Sequence, residues 1–171
     1  MALKPQRKIL DGTDISYFIN ETGEKGEVLV FSTGGSGSAM DDSNAVVTTP
    51  AASASGQRVA GVLLNDVVNL DLTRQHLNWH KDEVQLGSKC TLLRHGEVTT
   101  NVVDTGVTPT IGAPAYVGCG AITSGGTVQG WLTTTAVTDT SATYAPLLYR
   151  VGTFKSTKDS DGYCKVEINL N

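Results

Sequence analysis

The sequence is short of charge and of apolar residues alike. Charged residues make up 18% of the 171 positions and hydrophobic residues 39%, against about 25% and about 45–50% in average soluble domains. With 13 Lys and Arg against 17 Asp and Glu, the formal net charge is −4. No basic stripe is visible of the kind that displaces counterions from nucleic-acid phosphates, so no nucleic-acid partner is expected. No run approaches the 18 or so apolar residues that suggest a membrane span, and no membrane partner is expected. The basic N-terminus lacks a following apolar core, so it does not read as a secretory signal. Cysteine is scarce too. Cys90, Cys119 and Cys164 are far apart and form no C-x-x-C pair. That spacing excludes a zinc knuckle or a thioredoxin-like site. It suits reduced thiols acting as small apolar side chains in a protein made in a reducing cytoplasm.

The shortfall is filled by Thr, Ser and 19 Gly. Thr suits pleated, half-buried surfaces, whereas Gly and Ser suit turns. Long helix-forming side chains are sparse. The expectation is a mainly β protein, an antiparallel β-sandwich or β-barrel with long loops and little helix. The length fits one domain.

Residues 1–14 read as an extended N-terminal arm, polar at Lys4, Arg7 and Lys8, before a single β-rich domain over 15–171. Residues 15–19 (ISYFI) and 27–32 (EVLVFS) are strand candidates separated by a polar turn. Residues 33–57 read as a long loop interrupted by a short strand at Ala45-Val46-Val47. Such connections are often functional. The most apolar segment, 58–72 (RVAGVLLNDVVNLDL), suggests two short strands joined at Asn65-Asp66. Residues 73–85, around Trp79, have room for one helical turn. Residues 89–103 read as a hairpin turning at His95-Gly96. Short strands are expected at 115–117 and within 127–137. A final hairpin brackets Lys158-Asp159-Ser160-Asp161. Its second strand alternates strictly, with Cys164, Val166, Ile168 and Leu170 on a buried face.

No reactive constellation stands out. The Gly-rich stretch at 33–38 lacks the Lys of a phosphate loop and the third glycine of a dinucleotide fingerprint. Ser38 stands where a nucleophile elbow needs Gly. His76, His80 and Glu83 could share a helical face, but Leu77 replaces the general base of a zincin. Asp159-Ser160-Asp161-Gly162 resembles the start of a calcium loop, yet Ile168 occupies the position of its bidentate acid. These features point to no cofactor, no metal and no enzyme.

Two segments carry a family resemblance. Residues 59–101 (VAGVLLNDVVNLDLTRQHLNWHKDEVQLGSKCTLLRHGEVTTN) and 151–170 (VGTFKSTKDSDGYCKVEINL) resemble head decoration, or cement, proteins of tailed phages. That resemblance implies a virion structural protein on the capsid exterior. It would bind the major capsid protein, stabilise the shell by bridging capsomers, and often form a homotrimer. Lys4, Arg7 and Lys8 of the arm, followed by Tyr17 and Phe18, are then candidate contacts, although the two aromatics also suit a core. Trp79 and Trp131 are candidate interface anchors, since Trp is enriched at hot spots. The alternative is a carbohydrate-binding or adhesin-like β module of a tail fibre, with Trp79 or Tyr116 as the sugar platform.

Overall fold

In the computed structural model, the described residues are 3–4, 12–32, 46–48, 50, 58–66, 83–84, 86–118, 130–134 and 150–170. Among them there is no helix, and the fold is mainly β: a closed barrel with extra strands. The strands are β1 (Leu3–Lys4), β2 (Gly12–Ile19), β3 (Gly23–Glu24), β4 (Val28–Phe31), β5 (Val46–Thr48), β6 (Val59–Asp66), β7 (Glu83–Val84), β8 (Lys89–Thr100), β9 (Pro114–Val117), β10 (Leu132–Thr133), β11 (Arg150–Phe154) and β12 (Cys164–Asn169).

Strand β8 organises the molecule. Its first half pairs with β2 on one edge and β6 on the other, and the ring β8-β2-β5-β4-β6 closes into a barrel. Its second half pairs with β12, and β11, β9 and β10 continue outward from there. The chain leaving β8 then returns to the far edge of that sheet. Val103 bridges Leu132, Asp104 N donates to Leu132 O and Leu132 N donates to Val102 O.

The apolar side chains separate into two cores. Ile19, Leu29, Val47, Ala60, Leu63, Val84, Cys90 and Leu92 form one cluster. Val28, Val62, Leu93, Val98, Phe154, Val166 and Ile168 belong to the other. Consecutive residues of β4 (Val28, Leu29), β6 (Val62, Leu63) and β8 (Leu92, Leu93) are divided between the two. Because side chains alternate across a strand, these three strands form a wall with a core on each face. Gly61 permits the close approach inside that wall. A Cβ there would lie 2.9 Å from both Leu92 Cβ and the Leu93 carbonyl oxygen.

Several expectations are met. Strands β4, β5 and β9 fall where the sequence placed strands, and β11 and β12 pair antiparallel as the final hairpin. Cys164, Val166, Ile168 and Leu170 are all buried. Cys90 and Cys164 are buried thiols outside any disulfide. Burial pushes the Cys164 thiol up to about 11, so it stays protonated and packs as a small apolar group.

Three details are corrected. His95-Gly96 is no turn. It lies inside the twelve-residue β8, where Gly96 pairs with Ile168. At φ 144°, this glycine sits where the β8 edge passes from β6 to β12, so it accommodates a change of partner rather than a reversal. Asn65-Asp66 is likewise no turn; both continue β6 opposite Thr91 and Cys90, beyond an irregularity between Leu63 and Asn65. The sheet is also not wholly antiparallel, because β2 and β5 run parallel. The Gly-rich stretch at 33–38, residues 67–82 with His76 and His80, and Cys119 lie outside the described residues.

Candidate functional site

Lys4 lies in β1, opposite Thr99 on the edge of β8 that β2 occupies further back. Arg7, Lys8 and Trp79 lie outside the described residues. Tyr17 and Phe18, both half-buried, are consecutive in β2 and so point to opposite faces. Tyr17 packs against the barrel core and meets Phe31 edge-on, with centroids 5.4 Å apart at 61°. Its carbonyl also accepts a bond from Cys90 Sγ at 3.4 Å. Phe18 lies under the Lys89 ammonium, 5.6 Å from the ring centroid, a cation–π geometry. Lys4 and Phe18 are not brought together. Their partners Thr99 and Lys89 stand near opposite ends of β8, up to about 33 Å apart at strand rise. Trp131 and Tyr116 are half-buried.

Among the described residues, the large apolar side chains that face solvent are others. Ile111 is 73% exposed and Leu86 66% exposed. Each precedes a glycine in the left-handed region, Gly112 at φ 87° and Gly87 at φ 77°, so each sits on a tight turn that requires glycine. Gly87 N donates to Ile19 O, which places Leu86 toward the start of β8. Gly112 N donates to Phe154 O, which places Ile111 toward the other end.

Among the described residues, Glu27, Glu21 and Asp159 are engaged in local contacts. Burial is the main cause that raises the Glu27 carboxyl to about 7. The Glu24 N–H, donating to its Oε2 at 3.1 Å, opposes this, and the nearby Glu24 and Glu21 charges reinforce it. Glu21 in turn accepts a hydrogen bond from the Thr48 hydroxyl. In the final hairpin, Asp159 Oδ1 accepts from the Asp161 and Tyr163 amides at 3.0 and 2.8 Å. The acid of the calcium-like sequence is thus used in capping its own turn.

The comparisons with known proteins bear on this body as a whole. Residues 12–169 match the family described as "Structural cement protein (E217 gp24/Pam3 gp6)". The chain belongs to this phage cement protein family. It is therefore a structural protein of the capsid, as the sequence resemblance implied. Among solved structures, a chain of the capsid of Myoviridae phage XM1 is similar in fold. The TM-score is 0.59 at 12% identity, and the match covers 99% of this cement protein and 92% of that chain. No curated protein matches.

Proposed function

We propose that this cement protein decorates the outer face of its phage head, binding the major capsid protein and bridging neighbouring capsomers. The observation that carries the reading is the extent of the family match, which takes in the barrel, the second sheet and the wall they share. The role is mechanical, not catalytic. A ligand that binds the assembled shell and not its separated parts stabilises the shell by mass action. Many copies acting at once multiply that effect.

In this reading the protein is a homotrimer, each copy placing one patch against a different patch of the next. The N-terminal segment, whose Leu3–Lys4 strand runs along β8 of its own chain, offers Lys4, Arg7 and Lys8 to a neighbouring subunit. Tyr17, Phe18 and Trp79 are further contact candidates. Removing residues 1–11 tests this part while leaving β2, which begins at Gly12, intact. The truncated protein should co-sediment with shells more weakly than the full chain. Equal binding would remove the segment from the contact. Light scattering reads the trimer directly.

A further inference from the structure

The small sheet of β3 and β7 is separate from the main one and has two strands of two residues each. A ladder that short is marginal by itself, so it stays closed through what it buries and bonds. Val84 of β7 is wholly buried in the barrel core. Gly23 of β3 is pressed onto the same core. A Cβ there would lie 2.8 Å from Ile19 Cδ1 and 3.1 Å from Leu63 Cδ2. The pair forms a cap on one end of the barrel.

The cap is fastened through Glu27. Gly26, at φ 102°, and Glu27 both oppose Leu63. Gly26 N donates to Leu63 O at 2.7 Å, and Leu63 N donates to Glu27 O at 2.8 Å. Two residues against one make a bulge, which re-aims a side chain. The Glu27 carboxyl turns back onto β3, where its Oε2 accepts from Glu24 N at 3.1 Å. Glu24 O in turn accepts from Glu27 N at 3.1 Å. The same Oε2 lies 3.6 Å from where a Gly23 Cβ would stand, beside Ile19 and Leu63. One residue thus grips both main-chain groups of Glu24 and sets its carboxyl beside the barrel core.

The surroundings favour the neutral carboxyl. Burial opposes ionisation most. The Glu24 amide favours it, and the Glu24 and Glu21 charges oppose it again. Glu21 is held in place by the Thr48 hydroxyl of β5. β7 sets Glu83 opposite Glu24 in register, and Lys25 is the cation of the turn. β6 contributes the apolar Leu63, and the segment at Gly130 contributes a carbonyl that accepts from Val28 N.

We propose that Glu27 is a proton-operated catch: protonated, it holds the β3–β7 cap shut on the barrel end, and ionised, it lets the cap open as a local unit while the main sheet stays paired. Segments with few bonds to the rest of a fold open well below the cost of global unfolding. The direction follows from the carboxyl's rise to about 7 from 4.5. The proton's contribution to closure is complete in acid and is lost as pH rises through 7. The catch works within one chain, whatever the protein binds.

Amide hydrogen exchange on the full chain at pH 5 and pH 8.5, corrected for the intrinsic rate, tests the catch. The reporters are the amides of Glu24, Gly26 and Leu63, with those of β12 as reference. In the unaltered protein the three should lose about tenfold in protection at the higher pH, a figure reduced for the carboxyl's partial exposure. The β12 amides should lose none. Glu27→Gln keeps the shape but cannot ionise, and its three reporters should hold their protection at both pH values. Equal losses in the two proteins, or no loss in the unaltered one, would overturn the proposal. A loss shared by β12 would mean global opening and would overturn it too. Titration of the Glu27 carboxyl in the unaltered protein is an independent check, since a midpoint near the ordinary 4.5 would remove the catch whether or not the variant folds.

Discussion

Strands β4, β6 and β8 are covered on both faces, whereas β12 is covered on one. In the wall, neighbours such as Val62 and Leu63 are both fully buried, each in its own core. In β12 the pattern alternates, with Val166 buried and Lys165 and Glu167 half-buried on the outer face. On that face Glu167 pairs with Lys155 at 2.6 Å. The wall ties the barrel to the second sheet, so damage at any of its positions reaches a core. The outer strand can vary on one face without reaching either. In this capsid cement protein the wall carries both cores, and the outer face of β12 can change without disturbing either.

This contrast can be tested by substitution. The largest effect is expected where β11 is pressed onto β12. A Cβ at Gly152 would collide with the Glu167 carbonyl oxygen, which is backbone and cannot swing aside. Gly152→Ala should cost about 3 kcal/mol or more, at the upper end of overpacking penalties, read as a lower midpoint in denaturant. A cost below about 0.5 kcal/mol would mean that the two strands are not held so closely. Next, Leu63→Ala and Val62→Ala should each destabilise, the leucine by about 2–5 kcal/mol and the valine by somewhat less. Were only one of these neighbours to matter, the wall would have a single covered face.

Glu27 sits beside the wall, since its carbonyl accepts from Leu63 N at 2.8 Å. Its folded pKa of about 7 lies above the ordinary 4.5. The folded state therefore holds the proton more tightly. The stability this gives is complete below about pH 4.5 and is lost as pH rises through 7. Glu27→Gln should raise stability at pH 8 by about 1–2 kcal/mol, a figure reduced for the group's partial exposure. It should change little at pH 4. Equal effects at both pH values would show that ionisation is not involved. The smallest effect is expected on the outer face of β12, where Lys165→Ala should fall within about 0.5 kcal/mol of the unaltered protein. A loss like that of Leu63→Ala would erase the distinction between wall and outer strand.

The same contrast explains what could be read from the sequence. β12 was legible because one buried face produces strict alternation. The apolarity of β4 and β6 was legible as strand material, but two buried faces remove the alternation that reports register. Asn65-Asp66 then looked like a break, although both residues are held in β6 by pairing with β8. His95-Gly96 has the chemistry of a turn. Only partners distant in sequence, Gly12 and Asn169 beside His95 and Ile168 beside Gly96, keep it extended. Of the surface, the aromatic pair Tyr17-Phe18 was visible as a pair, but not that β2 would set the two on opposite faces. Ile111 and Leu86 passed unnoticed because an apolar residue in sequence suggests core. Their exposure follows from the glycine after each, which makes it the apex of a turn.

The most direct measurement is the disruption temperature of depleted shells, followed by calorimetry as purified protein is added back. The account predicts a rise that saturates once the shell sites fill, worth about 2.7 kcal/mol per site at a hundredfold excess over Kd. A disruption temperature that stays fixed while the protein is demonstrably bound would contradict it.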